Sequence, residues 1–459
     1  MSLLLRQLLA VLVVIAVWRP TFAGEYRLAP FSADVTIPLG HRCMGVLPTK
    51  AQRIESPLEA RGFVLLGPAK PVVLLAFDWC EIRNDSYDEW RRACAKAAGT
   101  VPENVLVSSL HQHDAPVIDS GAQKLLDELG LEKELFDPAF HDECVRRVTE
   151  ALTESLQTAQ PVTHIGLGQA RVEQVASNRR VELPDGTFHY GRGSNAGGNA
   201  ALAAAGDGLI DPNLKTISFW NGDQPLLALH GYATHPMSYY GRGGVTWDFV
   251  GIARDRRQRD DRDVFQIYVS GCSGDVTAGK YNDGSPAMRP LLADRLYRAM
   301  KQAWQQTKRV PLKQVTVRRT QLSLPFHEGD EFRREALTTV LEDDQADVRQ
   351  RILAAMGLAS LNRIDEGRAI DVPCVDFGPA QIVLLPGESF VGYQLDAQTL
   401  RPDSFVLTIG YGECWPGYIP TQAAFDEHFG HSWRWVGPES PRAMRKALEQ
   451  VLQPADADQ

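Results

Sequence analysis

Two histidines one residue apart, His111 and His113, end the apolar run in "NVLVSSLHQHDAP" (Asn104–Pro116). Imidazoles either hold metals or move protons near neutral pH. Side chains two apart on a strand point to the same face. A strand over Val105 to Leu110 therefore predicts that both rings leave its end side by side. Comparable groups recur at three other places. "HGYATHPMSYY" carries His230 and His235, "LLPGESF" carries Glu388, and "GYGECWPGYIPT" carries Tyr411 and Tyr418. Zinc sites are built from histidine, carboxylate and cysteine, with a position left open for water. Taken singly, each is weak evidence, and a lone strand-end histidine is more often a hydrogen-bonding group of its own structure than a ligand. The His-x-His pair carries more weight.

Other constellations fit less well. No G-x-S-x-G elbow occurs: "GCSGD" has Ser273 but Asp275 in place of the last glycine, and "GESFV" fails in the same way. A serine-hydrolase elbow is therefore disfavoured. HExxH is absent, "HQHDAP" falls short of HxHxDH, and two strand candidates precede the His-x-His that would open an amidohydrolase barrel. "GRGSNAGGNAALAAAGDG" (Gly191–Gly208) is rich in glycine, but no GKS/T follows it; it reads as a flexible surface loop rather than a phosphate cradle.

The groups must be positioned by a mixed set of elements. Strands are expected at Arg61–Gly67, Pro71–Trp79, Glu103–Leu110, Thr163–Val172, Val264–Ser270, Lys313–Leu324, Ala380–Pro386 and Ser404–Gly410. "NGDQ" between two apolar runs signals a hairpin. Helices are expected at Tyr87–Ala98, Asp137–Ala159, Pro286–Thr307, Glu331–Asn362 and Ser440–Leu452, with Glu331–Asn362 on the surface. No linker or fixed-period repeat divides the chain. The expected fold is α/β (α+β): one large domain with a mixed β-sheet core flanked by helices, and the site at strand ends.

The N-terminus reads as a signal peptide over residues 1–23. Arg6 precedes the uncharged run Leu8–Trp18, too short to span a bilayer, and cleavage is expected near Ala23–Gly24. A secreted or periplasmic protein with no transmembrane segment in its mature part, residues 24–459, is expected. Cleavage removes Arg6 and Arg19 and moves the net charge from −9 to −11, which argues against nucleic-acid or anionic-membrane binding. "RDRRQRDDRD" (Arg254–Asp263) alternates in sign and reads as a solvated helix face. The seven cysteines contain no CxxC; some of them could pair.

In order, "DVTIP" (Asp34–Pro38), "RGFVL", "LLAFDWCEI", "SSLHQHDAP", "SNRR", "ATHPMSY", "WDFVG", "SGCSGDVTAG", "LPGESF" and "GYIPTQAAFD" resemble the catalytic domain of the neutral/alkaline, non-lysosomal ceramidase family. The resemblance runs over nearly the whole mature chain. It implies an α/β fold holding one Zn²⁺, and hydrolysis of the amide of an N-acylsphingosine, a lipid-like small molecule, to fatty acid and sphingosine. It assigns His111, His235, Glu388 and Tyr418 to the metal. It places His113 beside the reacting water and amide, as general base and acid, and Arg179 or a hydroxyl at the developing oxyanion. Three features depart from the family. Thr277 in "GDVTAG" stands where the family has serine, and the proline and asparagine after it are lost. A second family tyrosine is missing from "FDEHFGHSW". The family's C-terminal β-sandwich finds no counterpart. The leading expectation is a zinc-dependent amide hydrolase using metal-activated water. An N-acyl amino acid, lipid ester or cell-wall amide is the alternative substrate. A binding protein without activity is a third reading, disfavoured by four retained ligand-type side chains.

Overall fold

The computed structural model of the protein describes residues 26–182 and 186–453. The expected signal peptide lies outside the described residues. Three larger sheets form the β core. The first orders its strands Val105–Ser109, Val72–Phe77, Glu59–Leu66, Tyr26–Asp34 and Gln160–Val162. The second orders Phe265–Ser270, Gln224–Tyr232, Asn213–Asn221, His164–Arg171 and Lys308–Pro311. The third orders Thr316–Leu322, Ile370–Asp376, Ala380–Leu384 and Phe405–Ile409. Each is mixed, with one parallel pair at an edge: Val72–Phe77 with Val105–Ser109, Gln224–Tyr232 with Phe265–Ser270, and Ala380–Leu384 with Phe405–Ile409. The β core is thus divided among sheets rather than gathered into one.

The sequence explains these strands. "VVLLAF" (Val72–Phe77) is apolar and buried at every position, as a strand covered on both faces must be. The hairpin turns through Gly222 and Asp223 alone, with Asn221 opposite Gln224. Helices Asn84–Ala98 and Pro138–Leu156 pack beside the first sheet, and Asp248–Asp260 and Met288–Gln305 beside the second. Asp137 accepts from Ala139 N–H at 3.1 Å and Pro138 opens its helix, a regular start signal.

Two readings of the chain change. The expected surface helix Glu331–Asn362 breaks into Arg334–Glu342 and Val348–Asp365, the second started by an Asp347–Gln350 capping box. Ile352, Ala355, Met356 and Ala359 are buried, so this helix belongs to the core. The basic stretch is only partly a solvated face. Arg254 and Arg257 are buried, and Arg254 forks onto Asp78 at 2.7 and 2.8 Å. Two parallel N–H···O bonds satisfy a buried guanidinium as single contacts do not.

The parallel pairs matter most. Their carboxyl ends meet, and hydrogen bonds to backbone carbonyls tie them together. Ser109 N–H donates to Tyr411 O at 3.0 Å, Gly410 N–H to Ser270 O at 2.9 Å, and Ser270 Oγ to Leu110 O at 2.8 Å. Open α/β sheets present their ligand sites beyond the carboxyl ends of parallel strands. Here three sheets do so at one point.

Candidate metal centre

Each strand end delivers one group. The first sheet delivers His111, by a route other than the one its pattern suggests. The strand stops at Ser109, and His111 takes a left-handed backbone (φ 63°). Pleat alternation therefore does not aim the histidine pair. A kink does, and it costs roughly 1–3 kcal/mol of backbone strain that the surroundings must offset. The second sheet delivers His235, three residues past Gln224–Tyr232. The third delivers Glu388, whose short strand pairs in parallel with that of Tyr418. Gly417 precedes Tyr418 with φ 58°, and a Cβ there would lie 1.8 Å from Trp433 O, so only glycine lets these chains meet.

The ligand atoms of His111, His235 and Glu388 all lie within 4.8 Å of one another, and all three residues are buried. Glu388 Oε2 sits 2.9 Å from His235 Nε2 and 3.3 Å from His111 Nε2. The far sides of both rings are already taken. His235 Nδ1 lies 2.6 Å from Ser273 O, and His111 Nδ1 lies 3.1 Å from Cys80 O. A carbonyl only accepts, so each Nδ1 carries a proton, and each ring turns its Nε2 to the carboxylate. A cation placed between the two Nε2 atoms and the carboxylate would be held by all three. Atoms bound tetrahedrally at about 2.0–2.2 Å from one ion stand roughly 3.3 Å apart, close to the spacing here. Zinc fits this donor set, and the carbonyls act as the outer partners that orient ligating imidazoles.

Burial and the nearby Arg179 charge push His235 down to about 4. Burial also opposes charge on His111, but Glu388 outweighs it and holds His111 above its ordinary value. Burial likewise raises Glu388, yet the charge and hydrogen bonds of the two histidines hold it well below the usual carboxylate range. The carboxylate is thus the site's fixed negative charge. Tyr411 stacks on His111 at 4.5 Å and bonds Ser273 Oγ at 2.7 Å, fixing the ring from behind.

A cavity of about 360 Å³ opens over the cluster. His113 lines it, 5.2 Å from the His111 ring and edge-on to Tyr240 at 4.6 Å. Its Nδ1 is buried without a hydrogen-bond partner among the described residues. Burial, then the charges of His111 and His235, push it well below 6.5. Arg179 reaches in from the "SNRR" segment, donating from Nη1 to Tyr418 OH at 3.0 Å and from Nη2 to His235 Nε2 at 3.3 Å. Tyr418 lines the same cavity, and burial raises its phenol well above 10.

Thr277 is placed differently. It is fully buried, and its Oγ1 accepts from Gly279 N–H at 3.0 Å, closing its own turn behind the cavity wall. The structure does not bring its hydroxyl to the cavity. His230 also stands apart, bridging Thr216 at 2.8 Å and Gln266 at 2.9 Å within the second sheet. All seven cysteines are buried and unpaired; Cys80 lines the cavity.

Several groups carried no sequence signal. Gly193–Asn195, read as part of a flexible surface loop, form one cavity wall. Asn282 pins that wall, donating to Ser194 O and Ser238 O, each at 2.6 Å. Met44, Met237 and the pair His431 and Trp433 come from three segments far apart in the chain.

Fold and cluster together define an α/β scaffold with a buried two-histidine, one-carboxylate centre suited to a divalent metal. Among solved structures, the chain is similar to neutral ceramidase from Pseudomonas aeruginosa, with a TM-score of 0.68 and 17% identity over 94% of this chain and 74% of that one. It is also similar to a ceramidase complexed with C2, with a TM-score of 0.67 and 15% identity over 94% and 75%. The resemblance carried by the sequence motifs therefore holds at the level of fold. No family model and no curated protein sequence matches the chain. Among the described residues, no helix is long and apolar enough to cross a membrane.

Proposed function

We propose that this protein is a zinc-dependent hydrolase of linear amide bonds, of the ceramidase type, acting on an N-acyl lipid-like small molecule outside the cytoplasm. The single observation that carries this is the convergence of His111 Nε2, His235 Nε2 and Glu388 Oε2, with both Nδ1 atoms tied to backbone carbonyls. His111, His235 and Glu388 would hold one ion, with Tyr418 beside them. Bound zinc supplies a Lewis acid and lowers the pKa of a coordinated water to about 7.

The chain's own groups supply the rest. His113 stays neutral, and its ring takes the proton that the attacking water loses. The C–N bond breaks, the water's hydroxyl stays on the acyl carbon, and His113 returns the proton to the departing amine nitrogen. Arg179 directs its guanidinium across the cluster at Tyr418 and His235, where it stabilises negative charge growing on the carbonyl oxygen. Met44, Met237 and Tyr240 line the cavity alongside these polar groups, and their apolar surface suits an acyl chain. The volume is near the small end of ligand pockets, about 300–1,000 Å³. The cavity holds the amide and its nearest carbons, and a long chain continues past the mouth.

The test compares zinc-stripped and zinc-loaded protein on N-acylsphingosines, N-acyl amino acids and fatty esters of matched chain length. Release of fatty acid and free amine by the zinc-loaded form alone is the expected result. Zinc bound in full with no substrate cleaved would leave a binding protein.

A further inference from the structure

His431 lines the cavity but has no part in the reaction described above. Its ring meets Tyr418 edge-on, with centroids 4.6 Å apart. Its two nitrogens are differently engaged. Trp433 N–H donates to Nδ1 at 3.0 Å, closing a tight turn. A nitrogen that accepts carries no proton, so the ring must bear its hydrogen on Nε2. Among the described residues, Nε2 has no hydrogen-bond partner.

The turn is rigidly held. Trp433 is buried, its indole N–H donates to Glu81 at 2.8 Å, and its carbonyl accepts from Tyr418 N–H at 3.1 Å. The same residue that fixes the tautomer of His431 is thus bonded to the strand carrying Tyr418. His431 lines the cavity and is also exposed to solvent, which places it on the cavity's open side. A group there meets what lies next to the scissile amide.

We propose that His431 is a further substrate-binding residue: from the tautomer fixed by the Trp433 turn, it donates a hydrogen bond to an acceptor oxygen, such as a hydroxyl, adjacent to the scissile amide. This rests on the amide-hydrolase reading of the site. It also makes "FDEHFGHSW" a recognition segment of this chain's own design.

The probes are N-hexanoylethanolamine and N-ethylhexanamide, which differ by one hydroxyl. Titration calorimetry on zinc-loaded protein reads affinity where a probe survives and kcat/KM where it is cleaved. Wild type is expected to favour the hydroxylated probe about tenfold, the worth of one good hydrogen bond in a partly wet site. In His431→Asn the amide oxygen still accepts from Trp433 N–H, but the amide N–H stops short of the position that Nε2 holds in histidine. That variant should keep its melting temperature and lose the preference. His431→Gln, whose amide N–H reaches the Nε2 position, should recover part of it. A wild type without preference, failure of both probes to bind, or an Asn variant that keeps the preference overturns the proposal. Nitrogen-15 NMR of the free protein gives a second check that needs no substrate: a proton found on Nδ1 overturns it as well. A protein that cleaves no amide yet keeps the hydroxyl preference loses the hydrolase reading alone. One that cleaves both probes alike loses only the role of His431.

Discussion

Replacing His113 by alanine separates proton transfer from metal binding. Its Nδ1 has no partner to strand, and truncation opens into an existing cavity rather than creating a sealed void. Truncation removes the edge-on packing of the imidazole against Tyr240, worth about 0.5–1.5 kcal/mol. In a chain of this size that lowers the melting temperature by about 2 °C or less. His113 lies within ligand reach of His111 and Cys80 but is not among the three groups assigned to the ion, His111, His235 and Glu388, so zinc should stay. Turnover should not. A general base contributes about 10²–10⁴ in rate, or roughly 3–5 kcal/mol of barrier. The assay is elemental analysis, thermal melting and kcat on one N-acyl substrate, for wild type and His113→Ala in parallel. Zinc lost with the side chain would make His113 a ligand. Zinc retained with kcat unchanged would remove it from the chemistry, and the reasoning with it.

Arg179→Lys keeps a positive charge but loses the fork that reaches Tyr418 and His235 together; kcat should fall by about 10²–10³ with zinc content unchanged. Thr277→Val strands the Gly279 N–H and should cost about 1–3 kcal/mol in urea unfolding with kcat preserved, whereas Thr277→Ser should match wild type in both. His141 is buried between Trp90 and Phe136, and burial pushes it down to about 4. The unfolded chain therefore takes up this proton first, near 6.5. The stability His141 provides is complete above that pH and is lost as pH falls towards 4, a change of about 3 kcal/mol. His141→Leu should flatten that limb when urea midpoints are compared at pH 7.5 and 5.

The ligand types were legible because each follows an apolar strand in its own short motif, and strand ends are where side chains can converge. The way they converge was not legible. His111 leaves its strand through a left-handed residue, which no period-two pattern reports. Thr277 aligned with a family serine, yet its hydroxyl serves its own turn, a choice made by Gly279 and the loop geometry. His431 gave no signal, because its role depends on a turn with Trp433 and on Tyr418 thirteen residues earlier. Alternating charge from Arg254 to Asp263 suggested solvent, but Asp78 and Glu59, far away in sequence, draw Arg254 inward. Local pattern located the strands and the chemistry at their ends; long-range pairing decided which groups face the cavity.

Metal-dependent stability tests most directly whether the three strand ends hold one zinc ion. Protein stripped by a chelator should take up one Zn²⁺ per chain. At a thousandfold excess over Kd, zinc should add about 4 kcal/mol of stability, read as a rise of several degrees in melting temperature. Glu388→Gln removes the carboxylate charge and should abolish both the uptake and the rise. Wild-type protein that takes up no stoichiometric zinc and melts at the same temperature with and without it would contradict the claim.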